Sequence, residues 1–166
     1  MTEPSFTFAP ERPADAAAVE RLSERAFGPG RFAKTAYRLR EGVEGAPTLS
    51  FVARVGTLLV GANRVTPIDI GGAPALLLGP LVVEPAFQKL GLGEQLIRMS
   101  LDAARSEGHR LVLLVGDAAY YARSGFRPVP DGQISLPGPV DPERLLAVEL
   151  VEGALAQVKG KVRRAV

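Results

Sequence analysis

The hydrophobic pattern changes period most sharply between Ala75 and Leu101. Ala75 to Val83 carries almost no polar residue, as in a strand covered on both faces, and its short length and the stop at Pro85 favour strand over buried helix. From Gly91 the period becomes helical. Leu92, Leu96, Met99 and Ala103 form one stripe, Gly93, Ile97, Leu101 and Ala104 lie beside it, and Glu94, Arg98, Asp102 and Arg105 lie opposite. This predicts a one-sided helix with Glu94 and Arg98 as an i,i+4 pair and Gly108 as the left-handed residue past its end. Leu111 to Val115 is a second wholly apolar run, so the three segments together predict a right-handed, parallel βαβ unit.

The flanks are weaker in pattern. Phe6 and Phe8 alternate with smaller residues, as in an edge strand, and Asp15 is placed to cap a helix over Ala16 to Phe27 that turns Ala18, Val19, Leu22 and Ala26 inward. Gly28-Pro29-Gly30 ends it. Arg31 to Glu41 is again helical in period, with Phe32, Ala36 and Leu39 on one side. Its basic residues Arg31, Lys34, Arg38 and Arg40 read as water-facing, and Tyr37 is a candidate pocket residue. Leu49 to Val55 and Leu58 to Ile70 read as antiparallel strands, and Gly71-Gly72 as a hairpin leading into Ala75. Pro67 calls for a bulge or an edge. Asp117 is placed to cap a short helix over Ala118 to Arg123 that ends at Gly125, and Gln133 to Leu136 and Leu145 to Leu150 supply the last strands. The expected fold is α/β (α+β), a mixed, twisted sheet of about seven strands with helices on both faces. It is expected as one domain over residues 1–152, with a basic, polar tail over 153–166 left without assigned structure.

Composition narrows the function classes. The length of 166 residues suits a single domain, and 20 basic against 18 acidic residues is too balanced to argue for nucleic-acid binding. Zero cysteines exclude disulfides, thiolate metal sites and a cysteine nucleophile. No apolar run approaches the roughly 18 residues of a membrane span, and Met1 to Pro10 has neither a basic start nor an apolar core. A cytoplasmic protein without metal, nucleic-acid or membrane partners is expected, with monomer and homodimer both open.

The candidate chemistry lies where the first apolar run meets the long helix. A helix N-terminus presents N–H groups without intrahelical partners and about half a positive charge. Gln88-Lys89-Leu90-Gly91-Leu92-Gly93 removes side chains from two positions there, which lets an anion approach the backbone, with Lys89 as counter-charge. Taken alone, the glycines serve equally well as turn or packing residues. The stretch is not a P-loop, because Glu94 and Gln95 follow Gly93, and not a dinucleotide fingerprint, because Leu96 holds the third glycine's place.

Gln88 to Gly93 does resemble the Q/R-x-x-G-x-G/A signature of the GCN5-related N-acetyltransferase (GNAT) family. Leu81-Val82-Val83-Glu84-Pro85 is similar to that family's L-x-V-x-P strand end, and Tyr121 to Phe126 resembles its Y-x-x-x-G-F. The resemblance in organisation covers roughly residues 6–150 and departs at Lys89, where many members have glycine. It implies that Gln88, Lys89, Leu90, Gly91, Leu92, Gly93 and Glu94 hold the pyrophosphate of acetyl-CoA. It also implies that the backbone of Leu81, Val82 and Val83 holds the pantetheine arm, and that Tyr121 meets the coenzyme A sulfur. Tyr120, about 100° round the same helix, is then a packing residue. The acceptor implied is an amine of a small molecule or peptide, placed beside the Arg31 to Glu41 segment. Glu84, at the strand end, is the carboxylate candidate for general base. A non-catalytic acyl-CoA-binding module is the alternative; it has no need of Tyr121.

Overall fold

The computed structural model describes residues 5–28, 35–40 and 45–165. Four strands form an antiparallel half-sheet: β1 (Phe6–Pro10), β2 (Phe51–Val55), β3 (Leu58–Ile70) and β4 (Ala73–Val83), each paired with the next. From β4 the chain crosses through α3 (Leu92–Ser106), which follows α1 (Ala16–Phe27) and α2 (Thr35–Arg40), to β5 (Leu111–Val115), parallel to β4. After α4 (Ala118–Ala122) come β6 (Arg127–Pro128), β7 (Ile134–Ser135), β8 (Leu145–Glu149) and β9 (Gly160–Arg164). The path is β1-β2-β3-β4-β5-β8-β6, with β9 joining β3 and β7. Nine strands are therefore present among the described residues, the seven expected plus the two-residue β6 and the C-terminal β9.

Strand alternation sends successive side chains to opposite faces, and the helices cover both. On one face Val19 and Leu22 of α1 pack with Val52, Ala62 and Val82, and Leu39 of α2 packs with Ala75, Leu77, Leu111 and Leu113. On the other, Leu92 and Leu96 of α3 meet Phe51, Ala53 and Val60, while Ile97, Leu101 and Ala104 meet Leu76, Leu78, Val112 and Leu114. A fully buried Leu or Ile contributes roughly 1.5–3 kcal/mol. Any one of the α3 anchors thus outweighs the roughly 1 kcal/mol that glycine at Gly93 costs inside a helix. The helix ends as expected: Gly108 (φ 85°) follows it, with His109 N–H donating to Ala104 O (3.0 Å) and Gly108 N–H to Arg105 O (3.2 Å), a Schellman closure.

Several expectations are corrected. Glu94 pairs across to Arg123 on the α4 side (3.2 Å), not along its helix with Arg98. The Pro67 edge is present, since on that side of β3 the β2 pairs end at Asn63 and the β9 pairs start at Ile68, but the bulge lies earlier, between Asn63 and Val65. The polar tail is not apart from the sheet: β9 pairs with Ile68–Ile70, and Val162 supplies a buried side chain among charged neighbours. The Arg31 to Glu41 helix is described only over α2, where Arg38 is exposed but Arg40 turns inward. Tyr37's side chain lies outside the described residues.

Asp15 does not cap α1. Its buried carboxylate instead accepts from Arg12 N–H (2.9 Å) and binds Arg54. Burial alone would raise its pKa, but these partners overcome that and hold it below the usual carboxylate value. A lowered folded-state pKa gives stability that is present above about pH 4 and lost as pH falls through the folded value. Asp15→Asn is therefore expected to cost on the order of 1–3 kcal/mol at neutral pH and to flatten the acid limb of a stability-against-pH curve. An unchanged acid limb would remove Asp15 from that linkage.

Candidate active site

The site begins as a defect in strand pairing. Between the pairs Val65↔Leu78 and Asn63↔Leu81, β3 has one intervening residue and β4 has two, Gly79 and Pro80. The extra residue bends β4, as bulges do, and β4 keeps only two pairs with β5, Leu76↔Val112 and Leu77↔Leu113. Beyond them the two parallel strands part and leave a cleft. Glu84 N–H donates to Val60 O on β3 (2.8 Å), so alternation turns the N–H and C=O of Leu81 and Val83 away from β3, toward the open side. Val82, by the same alternation, faces β3 with its backbone and packs its side chain under α1. Two of the three expected strand residues thus offer backbone groups to the cleft.

The mouth of the cleft is the first turn of α3. Gly91 (φ 82°) is the N-cap, and no side chain caps the turn. The N–H groups of Leu92, Gly93 and Glu94 therefore keep the donors that an anion needs. Glu94's carboxylate is drawn off to Arg123, and Gln88's side chain is folded back onto Val83 O (3.3 Å). Lys89 takes a left-handed φ of 69°, so the departure from glycine falls where a side chain is strained. Leu90 is exposed. The two glycines differ in purpose. A Cβ at Gly91 would meet nothing within 4 Å, and glycine is needed there for its conformation. One at Gly93 would collide with the hydroxyl of Tyr120 and touch Leu81 Cδ2 at 3.6 Å.

The head of the cleft is built by α4. Asp117 caps it as expected, its Oδ1 accepting from Ala119 N–H (2.8 Å) and Tyr120 N–H (3.2 Å). Tyr121 lies edge-on to Tyr120 (4.9 Å) and Phe126 (6.0 Å), over Gly116 at the end of β5. Burial first, and then Tyr120 and Asp117, push its phenol up to about 12, against the opposing pull of Arg40 and Arg144. Tyr120 faces the other way, onto the first turn of α3. Its pKa is also raised, by burial and by Glu94.

Glu84 sits beside the mouth with its carboxylate held by Arg25 of α1 at 2.7 Å. Three residues join the site without having been assigned to it: Tyr120, through its hydroxyl at Gly93; Arg123, through Glu94; and Arg40. Arg40 Nη2 donates to Leu78 O at 3.5 Å, and its Nε is buried without a partner among the described residues. Burial lowers its pKa to about 10, with Tyr121 opposing and Arg64 adding to the shift. Its sequence signal was the i,i+4 spacing from Ala36 on the apolar side of the helix.

A family model described as an acetyltransferase (GNAT) domain matches residues 47–128. The uncharacterized N-acetyltransferase YjhQ of Escherichia coli (strain K12) is 33% identical over 162 residues, which is 95% of this chain and 89% of that protein. Another uncharacterized N-acetyltransferase of that organism, YhbS, is 34% identical over 119 residues, 70% of each chain. Among solved structures, the GNAT family N-acetyltransferase YhbS from Escherichia coli in complex with CoA matches with a TM-score of 0.83 at 28% identity, over 99% of this chain and 93% of its own. A GNAT family acetyltransferase from Brucella melitensis in complex with acetyl-CoA matches with a TM-score of 0.60 at 31% identity, over 87% and 96%. The chain belongs to the GNAT family of acetyltransferases. No helix among the described residues is long and apolar enough to cross a membrane.

Proposed function

We propose that this protein transfers an acetyl group from acetyl-CoA to the amine of a small molecule or peptide by direct attack. The observation that carries the reading is a cleft, opened where β4 and β5 part, with free backbone donors at its mouth and along one wall, and a partly buried phenol at its head. Anionic phosphates suit the uncapped N–H groups of Leu92, Gly93 and Glu94, with Lys89 beside them. An extended amide-bearing arm suits the outward backbone groups of Leu81 and Val83, added as a strand would be. The acetyl thioester then reaches Tyr121. The amine nitrogen forms a bond to the thioester carbon, the carbon–sulfur bond breaks, the amine proton leaves to a base, and the departing sulfur takes a hydrogen bond from Tyr121. The Leu81 N–H, the outward donor of this strand nearer the head, is available to the carbonyl oxygen as charge develops there. The test is a screen of amines and peptides with acetyl-CoA, following thiol release. Tight coenzyme A binding without thiol release from any acceptor favours the non-catalytic module instead.

Glu84 is the carboxylate proposed to receive the amine proton, relayed by water along the cleft from the position that Arg25 gives it. Glu84→Gln is expected to lower kcat/KM about ten-fold at neutral pH. That is below the usual range for direct proton transfer, because the amine also loses protons to solvent. The loss should shrink at high pH, where more of the amine is already deprotonated. A variant whose pH profile parallels the parent's throughout takes Glu84 out of the reaction.

A further inference from the structure

At the head of the cleft stands a cation with no counter-charge among the described residues. A guanidinium carries five N–H donors in a planar fork. Arg40 uses one of them, in a long bond to Leu78 O at 3.5 Å, and keeps its Nε buried with no acceptor among the described residues. The other inward arginines are matched: Arg54 by Asp15, and Arg64 by Glu11 (3.0 Å) and Glu20 (2.9 Å). Arg40 is the exception among the described residues, and holding a partly buried charge unmatched is costly for a fold.

Its position says which ligand would match it. Nη2 lies 2.7 Å from where a Cβ on Gly79 would stand, so the bare backbone of the β4 bulge is what admits the guanidinium. Leu78, whose carbonyl it touches, is the first β4 residue beyond the last pair with β5, Leu77↔Leu113. Arg40 thus sits on the β4 side of the split and interacts electrostatically with Tyr121 on the β5 side. In the acetyl-transfer reading given above, the donor's own anionic groups lie at the other end of the cleft, on the first turn of α3. Its thioester brings no charge to the head. Before charge develops on the departing sulfur, the anion that meets Arg40 comes with the acceptor.

Resting on that reading, the geometry points to Arg40 as the residue that receives a carboxylate of the acceptor, which makes the acceptor a small amine bearing a carboxylate, of the amino-acid type. A planar carboxylate matches the fork of a guanidinium in a two-bond pairing that an amide does not reproduce.

The twenty common amino acids, each as the free acid and as its carboxamide, provide the test. They are offered with acetyl-CoA, following thiol release, and separately to protein loaded with coenzyme A, following binding by calorimetry. At least one acid is expected to be preferred over its carboxamide by about thirty-fold or more in both kcat/KM and Kd. Arg40→Gln should collapse that ratio toward one, and Arg40→Lys should retain part of it. Coenzyme A affinity and thermal midpoint measured on the same variants report that the fold and the donor site are intact. Equal handling of acid and carboxamide overturns the inference, as does failure of every acid to bind. So does an Arg40→Gln variant that loses both forms equally, which would assign Arg40 to the departing sulfur. Arg40-dependent binding of an acid without thiol release leaves the carboxylate site standing and removes acetyl transfer. Release with acids and carboxamides alike does the reverse.

Discussion

Tyr121→Phe is expected to lower kcat about a hundred-fold while leaving the KM for acetyl-CoA within about three-fold, because it removes a hydrogen bond that matters only as charge develops on the departing sulfur. The structure sharpens what kind of help the phenol gives. With its pKa pushed up to about 12 by burial, and a thiol near 8.5, full transfer of the phenolic proton to a free thiolate is uphill by about 3.5 units, or about 5 kcal/mol. A hydrogen bond from the neutral phenol needs no such transfer. The effect therefore falls at the low end of the range typical of general acids. It also fixes the pH behaviour: between about pH 6 and 10 the phenol stays protonated, so the ratio of parent to variant kcat should be flat across that interval. A ratio that collapses near pH 10 would mean that Tyr121 ionises like an ordinary tyrosine, and full activity in the variant would move the role to another group. Tyr120→Phe, whose hydroxyl faces Gly93 rather than the head of the cleft, should change kcat far less.

The parts of this site set by local pattern were legible in the sequence. The change of period at Gly91 located α3, Asp117 and Gly125 bracketed α4, and Leu111 to Val115 has the bounds of β5 as observed. Each depends on neighbours a few residues apart, the range over which periodicity and capping act. The split of the sheet was carried by the dipeptide Gly79-Pro80 inside an otherwise apolar run. Such a dipeptide marks a disturbance of the strand, but not which of two partners will be lost. β9 was not legible because its one buried residue, Val162, sits among Lys161, Arg163 and Arg164, and only the free edge at Ile68–Ile70 makes a strand of it. The same holds for charge. Glu94 and Arg98 had the right spacing, but Arg123, 29 residues on, is the partner the fold delivers. Arg40 was read as solvated with the other basic residues of its segment, and only the bulge of β4 shows what it turns toward.

A last expectation tests the mouth of the cleft through the two glycines, which fail for different reasons. Gly93→Ala places a Cβ against the Tyr120 hydroxyl, far inside contact distance. The ring behind that hydroxyl is stiff and lies edge-on to Tyr121 at 4.9 Å, so it cannot yield without displacing its neighbour. Overpacking of this kind typically costs 1–3 kcal/mol. Imposed on the turn whose N–H groups are proposed to hold the pyrophosphate, about 2 kcal/mol corresponds to roughly thirty-fold weaker coenzyme A binding. Adding Tyr120→Phe removes the offending oxygen and leaves the ring carbon behind it at 3.6 Å, an ordinary contact, so the double variant should recover most of the affinity. Gly91→Ala has no collision to relieve. Its cost is a left-handed φ of 82° imposed on alanine, about 1 kcal/mol, and Tyr120→Phe should give it nothing back. Titration calorimetry with coenzyme A on the three single variants and two doubles reads the coupling directly. Rescue of Gly93→Ala alone locates the phosphate turn against Tyr120. Coenzyme A affinity untouched by Gly93→Ala would place the pyrophosphate somewhere other than the first turn of α3.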